Sequence, residues 1–136
     1  MEAKLDLTTL ANAVSRLEEG LARYQQDTSD TQIRDGLIQR FEFTYEISHK
    51  MLKRYLEMTS ATPEQFDAMP FQDLIRTGNE AGLLRSDWPT WRRYRELRAK
   101  TSHTYSEDVA LIVVAEIPDF LLEARHLLNE LQKRNV

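Results

Sequence analysis

Residues 31 to 59 read TQIRDGLIQRFEFTYEISHKMLKRYLEMT, and this stretch decides the fold class. Ile33, Leu37, Phe41, Tyr45, Ser48, Leu52 and Tyr55 recur at steps of three and four residues, which puts them on one face of a helix. Ile38, Phe43, Met51 and Leu56 widen that face, so the helix is expected to touch neighbours on more than one side. Glu42, Glu46, Lys50 and Lys53 form the polar strip. Glu42 and Glu46 lie one turn apart. They are expected to pair with arginines of a neighbouring helix rather than to work as an acid and a base.

The same period extends in both directions. Upstream, Leu7, Leu10, Val14, Leu17, Leu21 and Tyr24 predict a helix over residues 6–26, broken by the capping residues of Asp27-Thr28-Ser29-Asp30. Downstream, Thr62-Pro63-Glu64-Gln65 has the form of a capped helix start with Pro at the first position. Phe71, Leu74, Ile75 and Ala81 predict a short helix closed near Gly78 or Gly82. Asp87-Trp88-Pro89-Thr90 opens another, with Trp91, Tyr94 and Leu97 on its buried stripe and the basic residues on its other faces. Trp88 and Trp91 read as packing anchors, with a stacking platform for a base as the alternative. Thr104 and Glu107 are spaced as a capping box for a last helix over residues 106–132, in which Pro118 should kink or restart the chain. No segment alternates with period two. The expected fold is all-α, an antiparallel up-and-down bundle of four to five helices.

Composition sets the outer limits. The 136 residues fit one domain, 1–136. The chain has no cysteine, which excludes disulfides, thiolate metal sites and a Cys nucleophile and suits a cytoplasmic setting. Charges in Met1-Glu2-Ala3-Lys4-Leu5-Asp6 break any apolar run, so no secretory signal is read there. No apolar stretch approaches the ~20 residues of a membrane span. The net charge of -4 argues against indiscriminate binding to nucleic acid. Residues 92–100, RRYRELRAK, form a local exception that can hold phosphates.

That basic run leads into Thr101-Ser102-His103-Thr104-Tyr105. A neutral imidazole with a pKa of about 6.5 can take or give a proton at cell pH, and a guanidinium offers a fork of permanent donors to a phosphate. Arg98 and His103 are thus a minimal kit for cleaving RNA through attack of the ribose 2′-hydroxyl on its own phosphate. No metal or cofactor is needed, and no His/Asp/Glu cluster offers a metal site. The spacing alone leaves the alternative open that Arg98 is a solvated cation and His103 a junction residue. On a continuous helix the two would point roughly 140° apart, so they converge only if the helix ends first or a second subunit contributes. Ser102 reads as a turn residue, with no acid placed to complete a triad.

Arg98, four residues, His103, one residue, Tyr105 matches the RX4HXY motif of HEPN-domain proteins. Residues 34–46, RDGLIQRFEFTYE, resemble the second-helix signature of the nucleotidyltransferase substrate-binding subgroup. Ala81-Gly82-Leu83-Leu84, then Trp88 or Trp91, then Thr101 to Tyr105 follow in that family's order. The resemblance spans roughly residues 5 to 132. It implies a homodimer that pairs with a small, separate nucleotidyltransferase. It also implies a metal-independent RNase of a toxin–antitoxin pair, with Arg98 and His103 from both chains at the dimer interface, silenced by transfer of AMP to Tyr105. The related reading is a non-catalytic, substrate-binding subunit. Ser102, Lys100 and Arg95 would support the site or hold phosphate. The broad apolar surface of the second helix is the sequence feature that suits a dimer. Two positions depart from the family. Ala99 stands where Asn usually follows the motif Arg, which puts nuclease activity in question. His49 stands where an aromatic is usual, a core position turned half-polar.

Overall fold

A computed structural model describes residues 4–134 of the chain. Among them are five α-helices and no strand: α1 Thr8–Gln26, α2 Thr31–Met58, α3 Phe71–Glu80, α4 Trp88–Lys100 and α5 Glu107–Arg134. Short 3-10 turns, Pro63–Phe66 and Thr101–His103, precede α3 and α5. The fold is the all-α bundle read from the sequence. The start of the chain at Met1, Glu2 and Ala3 lies outside the described residues. No described helix is long and apolar enough to cross a membrane.

α1, α2 and α5 pack on one another, α4 lies against α2 and α5, and α3 lies against α4 and α2. This arrangement explains the width of the apolar face of α2. Ile38, Met51 and Leu56 are buried within the chain rather than left for a second copy. Only Phe43, 51% exposed, and Met58, 44%, stand out from α2. The larger exposed apolar surface is on α5, where Leu111, Ile112 and Leu122 are each nearly half exposed. Leu111, Ala115, Pro118 and Leu122 recur at helical spacing on that outer side, all of them exposed.

The centre is aromatic. Phe120 of α5 meets Phe41 and Tyr94 edge-on, each with ring centres 5.0 Å away. Trp91 packs against Tyr94 at 5.3 Å. Such pairs add about 1 kcal/mol each beyond area burial. Trp91 is therefore a packing anchor, with its indole N–H donating to the buried Glu123 carboxylate at 3.1 Å.

Helix ends follow local chemistry with three departures. Asp30 caps α2, accepting from the N–H groups of Gln32 and Ile33. Gly82, at φ +78°, closes α3, with Leu83 N–H donating to Gly78 O and Gly82 N–H to Asn79 O. Gly78 is a packing glycine instead, since a Cβ there would meet a Leu52 methyl at 2.9 Å. The first departure is at Thr62, which makes no side-chain cap; Gln65 donates to Ser60 Oγ and the segment forms only a 3-10 turn. The second is Pro118, which restarts nothing: α5 runs through it, with Pro118 on the exposed side. The third is the expected capping box before α5. Thr104 turns its hydroxyl to Thr101 O, and Glu107 takes a buried arginine of α2.

Candidate functional site

α4 is aimed by its buried stripe. Asp87 accepts from the backbone N–H of Trp88 at 2.7 Å and opens the helix. Burial of Trp91, Tyr94 and Leu97 then fixes where the cations of residues 92–100 point. Arg92 pairs with Glu96 on its own helix at 3.2 Å, and Arg93 with Glu116 and Asp119 of α5. Arg95 and Lys100 have no carboxylate partner among the described residues; Arg95 lies over the Phe71 ring, 5.5 Å from its centre.

Arg98 turns toward α2. Its Nε donates to Glu46 at 3.2 Å, its Nη2 to the same Glu46 oxygen, and its Nη1 to Thr101 Oγ1 at 3.1 Å. Nη1 also lies 3.3 Å from Glu42. The Thr101 hydroxyl in turn donates to the Arg98 carbonyl, holding the end of α4 to the side chain it carries. Glu42 and Glu46 are thus the ion-pair partners expected for a neighbouring helix. The Glu46 hydrogen bond is the main reason the Arg98 pKa is raised, partly offset by burial.

The helix ends two residues beyond Arg98, and the chain turns through Thr101–His103. His103 is exposed, its ring centre 6.5 Å from that of Tyr105, which at 89% is the most open of the exposed large apolar and aromatic residues described. No hydrogen bond or ion pair joins Arg98 to His103. The helix does end between them, the condition for convergence, but within one chain Arg98 engages α2 while His103 and Tyr105 face solvent. Ser102 is an exposed turn residue whose hydroxyl donates to Ala99 O. Ala99 and Lys100 are exposed beside it. Among the described residues no three His, Asp or Glu side chains gather as metal ligands.

Arg34, only 6% exposed, donates to Glu107 at 2.6 Å and lies 3.4 Å from Asp35. It binds the first residue of α5 to the first turn of α2 and so fixes the downstream end of the segment bearing His103 and Tyr105. Glu123 is fully buried, accepting from Arg85 N–H at 2.7 Å and from Trp91; burial pushes its carboxyl up, and the hydrogen bonds from Arg85 and Ser86 hold it back. Both residues escaped the pattern reading, although each sits in phase with an apolar stripe: Arg34 before Leu37, Ile38 and Phe41, and Glu123 between Phe120 and Leu127.

The family described as nucleotidyltransferase substrate binding protein like matches residues 5–133. The chain belongs to this family. A relative from Haemophilus influenzae, described as a probable ribonuclease HepT, is 37% identical, with 99% of this chain and 97% of the relative covered. A solved Haemophilus influenzae structure, described as revealing the fold of a substrate binding domain of a nucleotidyltransferase, superposes with a TM-score of 0.87. It is 35% identical, over 93% of this chain and 99% of its own. A crystal structure from Thermus thermophilus superposes with a TM-score of 0.69 at 29% identity, over 90% of this chain and 98% of its own. The match over residues 5–133 takes in all five helices, including α4 and α5, which flank the junction at residues 98–105.

Proposed function

We propose that this nucleotidyltransferase substrate-binding family member, as one unit over residues 1–136, is a metal-independent RNase held in check by a separate small nucleotidyltransferase in a toxin–antitoxin pair. The observation that carries the reading is the exposure of His103 and Tyr105 on a short turn immediately after the helix that fixes Arg98. His103 moves the proton of the attacking 2′-hydroxyl, and Arg98 steadies the charge that grows on the phosphate. Lys100, Arg95 and Ser102 lie along the approach to that turn.

The chain acts as a homodimer, with the exposed α5 stripe of Leu111, Ala115, Pro118 and Leu122 as the surface that a second copy covers. This supplies the second Arg and His that one chain does not bring together. Tyr105 is the acceptor of AMP: its hydroxyl stands in solvent beside His103, and a nucleotide there would occupy the ground an RNA must reach. The test is co-expression with the active nucleotidyltransferase, peptide mapping by mass spectrometry, and cleavage of single-stranded RNA before and after modification. One adenylyl group on Tyr105 with loss of cleavage is expected. A nucleotide mapped elsewhere removes Tyr105 from the site.

A second reading, a non-catalytic substrate-binding subunit, draws on two specific observations. Ala99 replaces the usual Asn, and all three guanidinium nitrogens of Arg98 are engaged by Glu42, Glu46 and Thr101. It predicts a stable complex with the nucleotidyltransferase and no cleavage by the chain alone.

A further inference from the structure

The face where α2, α3 and α4 meet extends beyond the junction at 98–105 and shares only Arg95 with it. Phe71, at the start of α3, is the hub. The His49 ring meets it edge-on at 4.7 Å, Trp88 at 5.9 Å, and the Arg95 guanidinium lies 5.5 Å from its centre. Lys53, one turn beyond His49, and Arg95 are both near enough to push the His49 pKa down, after burial itself. These side chains are half-buried or exposed, so the cluster opens to solvent. Arg95 and Lys53 have no carboxylate partner among the described residues, whereas Arg92, Arg93 and Arg98 all do. Arg95 is also one turn from Arg98 on α4, and His49 is one turn from Glu46 on α2, so the cluster adjoins the Arg98–Glu46 ion pair.

Two unpaired cations around half-exposed rings, on a chain of net charge -4, form a local positive platform. Single-stranded nucleic acid is held in this way: cations track the backbone, and rings or guanidinium planes stack the bases. We infer that Arg95, Lys53, His49, Phe71 and Trp88 form a subsite for the single strand of RNA that runs on from Arg98. One base stacks on the Arg95–Phe71 pair, and flanking phosphates sit at Lys53 and Arg95. This subsite rests on the RNase reading for its role, but its occupancy does not depend on cleavage.

The test uses the full chain and a fluorescent, 2′-O-methylated RNA dodecamer, which cannot be cleaved. Anisotropy gives its affinity over a salt series. The double variant Lys53→Gln/Arg95→Gln is expected to bind on the order of tenfold more weakly. Its log–log salt slope should fall by about 1.4, taking about 0.7 per phosphate contact on a single strand. Lys133→Gln, which removes a cation paired with Glu130 near the end of α5, should match the unsubstituted chain. Photocrosslinking with 4-thiouridine RNA should label Phe71 or Trp88. Unchanged affinity and slope in the double variant, or crosslinks confined to other helices, overturn the inference. So does loss of the complex with the nucleotidyltransferase while RNA affinity is kept, since the face would then be a protein contact. A chain that binds the dodecamer through this face yet cleaves no RNA leaves the subsite standing and removes the RNase reading.

Discussion

Removing the carboxylate of Glu107 should loosen the junction before it loosens the bundle. Arg34 is nearly buried, its side chain 8% exposed, and Glu107 is 65% exposed. A fully buried ion pair broken from one side costs about 3–5 kcal/mol, and an exposed pair about 0–1. The pair is half-open, with Glu107 the exposed partner. Glu107→Ala should therefore cost about 1–2 kcal/mol, the effect of leaving one guanidinium nitrogen of Arg34 without its acceptor. Glu107→Gln keeps an acceptor but trades a charge-assisted bond for a neutral one, costing about 1 kcal/mol. Glu107 also faces the positive end of the α5 dipole, worth about 0.3–1 kcal/mol, so single variants overstate the pair. A double-mutant cycle with Arg34→Met removes that contribution, and the coupling should be about 1 kcal/mol. Urea denaturation measures it, and the melting temperature of Glu107→Ala should fall by about 3–7 °C. Hydrogen exchange should show faster opening at residues 101–107 with the α1–α2 core unchanged. A coupling near zero, or exchange that rises evenly over the chain, would refute the view that Arg34 fixes this segment.

Other variants report on other parts of the molecule. Glu46→Gln weakens the hold on Arg98; with 30% and 59% of the two side chains exposed, stability should fall by less than about 1 kcal/mol, while the Arg98 Nε–H resonance should exchange faster with water. Leu111→Glu/Leu122→Glu should leave the circular dichroism of the fold intact and turn a sedimenting dimer into a monomer; a dimer that survives removes α5 from the interface. His49 has its pKa lowered in the folded chain by burial and then by Lys53 and Arg95. The unfolded chain binds the extra proton, so the stability of the neutral ring is present above the ordinary pKa of about 6.5 and is lost as pH falls toward the lowered value. His49→Phe should therefore gain stability over the parent chain at pH 5 more than at pH 8 in urea titrations, and an equal gain at both would contradict it.

The fold was legible because its apolar periods are long and its breaks are marked by Asp, Pro and Gly. The misreadings came where a tertiary partner displaced a local one. Glu107 was spaced to cap its own helix, and Arg34, seventy-three residues away, takes its carboxylate. The width of α2 does mark contact on more than one side, since four other helices cover it, but the exposed apolar stripe is on α5. At the junction the sequence located the helix break between Arg98 and Tyr105. It could not show that Arg98 turns to Glu42 and Glu46, because any arginine on α4 could have satisfied those two carboxylates. Buried Glu123 and Arg34 carried only a weak signal, a charged residue in phase with a core stripe.

Cleavage of single-stranded RNA in excess EDTA is the most direct measurement of what the junction does. The unmodified chain should cut and leave 2′,3′-cyclic phosphate ends. His103→Ala and Arg98→Ala should each lose about a hundredfold or more, the usual worth of a positioned proton-transfer or charge-stabilising group. Ala99→Asn should raise the rate. Cleavage retained in His103→Ala at the parental rate would contradict the assignment of residues 98–105 as the catalytic centre.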